Sequence, residues 1–476
     1  MLYETVIGLE VHCELSTQSK IFCGCSTKFG AAPNDHACPG CSGMPGTHPV
    51  LNRAVVDRAI RAGLATNCAI NRHNSFDRKN YFYPDLPKAY QVTQFYAPVA
   101  TGGWIDIKGE DGCSKRVRIK QIHMEEDAGK LVHDPYEDVS LADFNRTGMP
   151  LLEIVSQPDL RSASEAIEYF EKLRAILEYT DVSDCKMQEG SIRCDVNISV
   201  RPKGSEKLGV RSEMKNINSL RSIVRAIEYE TSRHIEAIED GVQLFQETRR
   251  WDDDAGESYA MRSKENAWDY KYFPDPDIPP VVLSEEQIEA VRASMPELPE
   301  AKKKRYIEEL GLPEYDTGII TGSIYLVRLF ERTAELCGDA KEAANWIMGE
   351  VLRLCQQTQT LPEDMAFDPD SLGRLILLMK GGAINRGTAK KVFAEVFSAD
   401  ADPEAYIKEH NLALLTDDSA IRETLSRVLA ANEKSAGEYR AGKEQALQYL
   451  IGQGMKALRG QAPAQEVTRV LKEMLG

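Results

Sequence analysis

Glu10 and His12 stand two apart in VIGLEVHCEL, where Leu9, Val11, Cys13 and Leu15 share one face and Glu10, His12 and Glu14 the other. Alternate residues of a strand project to the same side about 6.5–7 Å apart. A carboxylate and an imidazole so placed can grip one divalent cation. The acids of HMEEDAGK, Glu125, Glu126 and Asp127, are hard-oxygen donors that can complete the shell, and spacing does not say which of them does. Such a shell suits Mg²⁺ carrying nucleotide phosphates, because that ion keeps waters and takes one or two protein carboxylates. The same pattern also describes an ordinary solvated strand face, and the residues alone leave both readings open.

A second polar face joins Asp195 and Asn197 of IRCDVNISV to Arg211, Glu213, Lys215 and Asn216 of VRSEMKN. Acids there can bind a metal, and Lys and Arg can meet phosphates, Arg through a bidentate fork and Lys as a point charge. An exposed, salt-bridged hairpin is the alternative. Cys23, Cys25, Cys38 and Cys41 form two close pairs separated by a loop of twelve. That spacing matches a structural zinc site, with a free-thiol loop or a Cys38/Cys41 redox pair as competitors. In RKNYFYPD (78–85) basic residues adjoin aromatics that can stack a base or pack into a core. The same holds for DYKYFPD (269–275). Lys302, Lys303, Lys304 and Arg305 make a basic run that is either a phosphate contact or a solvated helix face.

Several common nucleotide and acyl-transfer signatures are missing. No G-x-x-x-x-G-K-[ST] loop occurs, and GAINRGT (382–388) has the glycines without the lysine. Gly452, Gly454 and Ala457 mimic a dinucleotide fingerprint, but they interrupt a helical run and not a strand-to-helix turn. There is no G-x-S-x-G elbow and no Gly/Ser-rich stretch with an amidase-type serine. A nucleotide site in this chain must be unorthodox.

These residues need a scaffold. The 476 residues suggest two to four domains at about 100–200 residues each. The 42% hydrophobic and 28% charged composition is that of a globular protein. The net charge, 58 − 74 = −16, excludes a protein that coats nucleic acid by bulk charge, though not one with a local basic face. No apolar run is long enough to cross a membrane and the start has no signal-peptide pattern. Eleven scattered cysteines then read as reduced cytosolic thiols. Before residue 294, alternating strands mix with helices. One helix is expected from Asn52 to Thr66. A second opens on Ser162 and Glu165 in capping-box spacing, and a third carries Leu220, Ile223 and Ile227 and stops at Gly241. After MPELPE (295–300) nearly everything reads as helix, with a further joint near 398–403. The expectation is an α+β chain in three segments, 1–293, 294–402 and 403–476. Val467, Val470, Leu471 and Met474 share a helical face in the last.

Taken together, GLEVHCELST, SKIFCGCS, RKNYFYPDLPKAYQVTQF, IHMEEDAGK, DFNRTGMPLLEIVSQPDLRS, IRCDVNISVRP, RSEMKNINS and YAMRSKENAWDYKYFPDPDIPP resemble the B subunits of the tRNA-dependent amidotransferases. So does the ending ALQYLIGQGMKALRGQAPAQEVTRVLKEML. The resemblance implies a cytoplasmic heterotrimeric enzyme, GatCAB. Its amidase chain, GatA, frees ammonia from glutamine, and its small chain, GatC, clasps the other two. The GatB chain uses ATP and Mg²⁺ to phosphorylate the side-chain carboxylate of Glu or Asp misacylated on tRNA, and ammonia reaches it through an internal channel. The resemblance further implies a β-rich cradle, a helical domain and a tail that recognises tRNA. It places Glu10, His12 and Glu125 in the metal and nucleotide shell, and Glu153, Asp195, Glu213 and Lys215 on the cradle lining. The four cysteines match a branch of the family with structural Zn²⁺. A non-catalytic tRNA scaffold and a free-standing ligase remain the alternatives. The first sits poorly with an acid face that repels phosphates, the second with the lack of an ammonia source.

Overall fold

The alternation around Glu10 becomes the middle of a ten-stranded sheet. The computed structural model describes residues 2–134, 136–263, 267–414, 418–458 and 461–476. Positions 264–266 and 459–460 of the quoted motifs therefore lie outside the described residues. Contacts divide the chain into two compact units, Met1–Pro299 and Glu300–Gly476.

Five strands of the first unit carry the candidate residues: β1 (Tyr3–Glu14), β2 (Ser114–Glu126), β3 (Pro150–Ser156), β4 (Ile192–Pro202) and β5 (Ser212–Lys215). Their spatial order is β5-β4-β1-β3-β2, all antiparallel. Beyond β5 the sheet continues through Glu247–Asp252, which pairs parallel, and ends at Glu257–Ser263. Register sets the neighbours on the polar face. His12 lies opposite Glu153, Glu10 opposite Asp195, Glu153 opposite His123, and Asn197 opposite Glu213.

The other face is dry. Leu9, Val11, Ile122, Met124, Leu152, Ile154, Cys194 and Val196 are buried there. They share one hydrophobic cluster with α1 (Arg53–Ala65), α2 (Ala163–Tyr179) and α3 (Leu220–Glu239). The helices begin where their caps direct. Asn52 accepts from Ala54 N at 2.9 Å, and Ser162 Oγ accepts from Glu165 N at 3.3 Å. Glu165 does not close a capping box; its carboxylate turns to Arg161 N, at 2.7 Å, and to Lys115. Gly241, at φ 71°, supplies the left-handed turn that follows α3.

A buried charge network fastens α3 to the sheet edge. Glu230 is fully buried and accepts from Arg233, His234 and Ser258, with Arg249 of the edge strand 3.6 Å away. Burial alone would raise its pKa. Hydrogen bonds from His234 and Arg233 and the Arg233 charge outweigh that and hold it well below 4.5.

The second unit is helical from Pro299–Glu308 to Ala464–Leu475. The basic run is not a free cationic face. Lys302 and Arg305 pair with Glu331, Lys303 with Glu314 and Lys304 with Glu308. Near the end, Leu425, Leu450, Val467, Val470 and Leu471 gather a separate hydrophobic cluster, with Met474 packed against it. Among the described residues no helix is long and apolar enough to cross a membrane.

Two outcomes follow for stability. Leu152→Ala empties a site with 0% exposure and lowers unfolding stability by about 2–5 kcal/mol in denaturant titration. Glu230→Gln removes the buried charge shared by Arg233, His234 and Arg249, leaving the two arginines to Glu247, and costs about 1–3 kcal/mol. The depressed glutamate contributes stability that is complete above its ordinary pKa and declines as pH falls below it. The variant therefore shows a shallower loss of stability between about pH 5 and pH 2.

Candidate functional site

Strand pairing brings the polar residues into two adjacent groups. His12, Glu125 and Glu153 offer ligand atoms all within 4.8 Å of one another, and so do Glu10, Asp195 and Glu213. The expectation of a single shell from Glu10, His12 and Glu125 is thus distributed over both. Glu10 faces Asp195 across the β1–β4 ladder, whereas His12 faces Glu153 across the β1–β3 ladder. His12 Nε2 lies 3.5 Å from Glu125 and 3.6 Å from Glu153. Asn197 Nδ2 donates to Glu10 at 2.8 Å, and Thr248 Oγ1 to Glu213 at 2.9 Å. Lys215 bridges Asp195 and Glu213, the latter at 3.1 Å.

The three consecutive acids of β2 and its end separate. Glu125 joins His12, with Thr93 donating to it at 3.3 Å. Glu126 points the other way and binds Lys88 and Val92 N. Asp127 takes Arg193 at 2.6 Å and Arg146 at 3.4 Å. Asn216 leaves the polar face altogether and donates to Trp251 O at 2.9 Å.

Like charges crowd this face. Burial raises the pKa of Glu10, and the Glu153 and Glu213 carboxylates raise it further. Burial and Glu153 do the same to Glu125. For His12 burial acts downward, but Glu153, Glu125 and Asp195 prevail and hold it at about 9. Glu153 itself, though buried, is held well below the usual carboxylate range by His123 and His12. Burial would lower Lys215; Asp195 and Glu213 raise it instead. More carboxylates converge than the local cations neutralise, which is the electrostatic condition for a bound metal cation. The all-oxygen group around Glu10 has the donor set of a hard ion, and one imidazole joins the oxygens around His12.

Two features flank the acids. A pocket of about 260 Å³ opens beside Glu10 where Gly8 leaves the strand face bare, lined also by Lys120, Leu208 and Arg211. The buried Oδ1 of Asn197, another lining residue, has no hydrogen-bond partner among the described residues. On the other flank the two aromatic motifs meet. Strand Asp77–Asn80 pairs with Phe273–Pro274, Tyr81 packs edge-on against Tyr270, and Lys79 lies 5.0 Å from the Tyr270 ring centre. Burial raises the pKa of Tyr81 and Tyr272; Glu125 adds to the first and Glu153 to the second, so the rings adjoin the acids.

Cys23, Cys25, Cys38 and Cys41 converge in one group. Sulfur separations are 3.7 Å for Cys23–Cys41 and Cys38–Cys41 and 3.9 Å for Cys25–Cys41. A tetrahedron with Zn–S near 2.3 Å has edges of about 3.8 Å, so the cluster suits zinc. The Cys41 thiol is pushed down to about 4, first by its hydrogen bond with Cys23, with Lys20 assisting against burial.

Some neighbours escaped the sequence reading. His123 Nε2 sits 2.6 Å from Glu153, and Gln121 Nε2 lies 3.2 Å from its Nδ1. The same two-residue spacing that singled out Glu10 and His12 relates His123 to Glu125, so this signal was available. Thr248, Arg193 and Lys20 carry no local sign of their roles.

Comparisons with known proteins give the family. Residues 5–289 match the family described as the GatB/GatE catalytic domain, and residues 328–475 match the GatB domain. The chain is 54% identical over 474 residues to the B subunit of the aspartyl/glutamyl-tRNA(Asn/Gln) amidotransferase of Lachnoclostridium phytofermentans, covering 100% of this chain and 99% of that one. It is 54% identical over 478 residues to the B subunit from Caldicellulosiruptor bescii, with 100% and 99% covered. It is 50% identical over 475 residues to that of Thermoanaerobacter sp., with 100% of both covered. Matched from end to end, with both family domains in order, the chain belongs to the GatB family of aspartyl/glutamyl-tRNA amidotransferase B subunits.

Proposed function

We propose that the polar face of the sheet is where ATP activates the side-chain carboxylate of Glu or Asp misacylated on tRNA. The chain is one component of the amidotransferase that converts misacylated Glu-tRNA(Gln) and Asp-tRNA(Asn) to Gln-tRNA(Gln) and Asn-tRNA(Asn), a ligase of the EC 6.3.5 class. The observation that supports the placement is the pair of three-ligand groups, side by side on one strand face.

A carboxylate resists attack by ammonia because its leaving group would be oxide. Phosphorylation makes phosphate the leaving group. That step calls for positioning and charge neutralisation, not for a protein nucleophile. Glu10, Asp195 and Glu213 would hold one cation, and His12, Glu125 and Glu153 another. Mg²⁺, when bound, supplies the positive charge that the polyphosphate requires. Lys215 braces Asp195 and Glu213 so that their oxygens are presented together. His123 braces Glu153 in the same way. The Gly8 pocket takes the nucleotide: Lys120 and Arg211 face its anionic part, and the orphan Asn197 Oδ1 awaits a donor. The aromatic cluster with Lys79 takes the acceptor end of the tRNA, where rings can stack a base. Ammonia comes from the amidase partner, GatA, and GatC completes the heterotrimer. Residues 403–476 serve as the tRNA-recognition tail.

The heterotrimer reconstituted with glutamine, ATP and Glu-tRNA or Asp-tRNA tests this. Glu10→Ala and His12→Ala lower ATP-dependent phosphorylation of the aminoacyl group by about 10²-fold or more, while glutamine hydrolysis persists at least in part. Normal turnover in either variant would overturn the placement. Replacing both Lys120 and Arg211 by Ala raises KM for ATP about tenfold, and an unchanged KM would put the nucleotide elsewhere.

A further inference from the structure

Lys20 is 0% exposed. A lysine ammonium has three donors, and this one meets three acceptors: His36 O at 2.7 Å, Phe144 O at 3.2 Å and Cys41 Sγ at 3.3 Å. No carboxylate pairs with it among the described residues. An ammonium taken out of water costs several kcal/mol unless negative charge lies close by. Among the described residues the group that can provide it is the four-cysteine cluster, whose Cys41 sulfur it meets. Four thiolates around Zn²⁺ would sum to 2 − 4 = −2, and the Cys41 sulfur that Lys20 meets is the buried one of the four. Cation and cluster each answer the other's deficit.

The same ammonium ties the cysteine loop to the turn that leads into β3. The loop and the turn after Asp143 are stapled by His36 N to Asn145 Oδ1 at 2.8 Å and by Asn145 Nδ2 to Ala32 O at 2.7 Å. The turn continues through Gly148, at φ 78°, where a Cβ would rest 3.7 Å from Lys20 Cδ. Gly148 O accepts from Ile21 N at 3.1 Å, and Gly148 N donates to Asp127 O at 3.0 Å. Met149 O in turn accepts from Asp127 N at 2.9 Å, and β3, with Glu153, begins at the next residue. Among these hydrogen-bonding groups Lys20 alone brings a positive charge to both the sulfur cluster and the turn.

We propose that Lys20 is the counter-charge of the four-cysteine metal site and the tie through which occupancy of that site holds the 144–149 turn that leads into β3. The proposal rests on the zinc reading of the cluster. It adds a positioning role for a residue outside the four ligands, of the kind that outer hydrogen bonds to metal ligands perform.

Purified full-length chain tests it, first by metal content and then by competition for zinc with a chromophoric chelator. Wild type carries one zinc per chain. Lys20→Met, which keeps the apolar stem and removes the charge, binds zinc about 10–100-fold more weakly, and Lys20→Arg recovers part of the loss. Zinc-free wild type would overturn the zinc reading and this proposal with it. A zinc-loaded wild type with unchanged affinity in Lys20→Met would overturn the Lys20 role alone. Should Lys20→Met fail to fold, hydrogen exchange of wild type before and after chelation decides. Amides of 144–149 lose protection on zinc removal if Lys20 ties the turn to the cluster, and unchanged protection refutes the tie.

Discussion

Five carboxylates on neighbouring strands of one sheet face, with too few cations to neutralise them, are the condition around which the first unit is organised. Glu10, Asp195, Glu213, Glu125 and Glu153 are drawn together by backbone pairing, not by attraction. Like charges so close repel, and burial removes the water that would screen them. The dry face supplies the compensation. Leu9, Val11, Leu152, Ile154 and Val196 are sealed against three helices, and their burial fixes the register that forces the acids into proximity. A sheet so clamped can hold carboxylates grouped closely enough to share a cation.

The holding groups lie around the acids. His123 braces Glu153, Thr248 fixes one oxygen of Glu213, and Lys215 spans Asp195 and Glu213. The strand bearing Thr248 also bears Arg249, which reaches buried Glu230 on α3. Positioning of a candidate ligand thus depends on a salt-bridged network on the far side of the sheet edge. Geometry held in this way would lower the reorganisation that the proposed phosphoryl transfer needs. The cysteine loop makes a comparable connection from the opposite side, through Lys20 and the turn that leads into β3.

Much of this was legible before folding was considered. Period-two patterning located Glu10, His12, Asp195 and Glu213 on polar strand faces, and all lie on one, Glu213 buried there. The two cysteine pairs announced a four-sulfur group that suits zinc, because the members of each pair are close in space whatever the surrounding fold. The helix starts at Asn52 and Ser162 followed from caps that act within one turn. The basic run reads from sequence as either a phosphate contact or a solvated helix face; its pairing with a glutamate as distant as Glu331 is set by the tertiary structure. The two aromatic motifs looked like separate features because about 190 residues of chain divide Asn80 from Tyr270, whose carbonyl Asn80 nonetheless reaches.

Chain chemistry alone determined which residues share a strand face, which thiols cluster and where helices begin, since each is a property of a few consecutive residues. Tertiary structure decided that Glu10 and His12 belong to different ligand groups, that Glu125 turns inward while Glu126 and Asp127 turn to Lys88 and Arg193, and that buried Lys20 meets the sulfur of Cys41. The reason is that β1 takes β3 on one side and β4 on the other, strands about 140 and 190 residues away. That pairing is chosen by burial of the whole apolar face, which no local window of sequence contains.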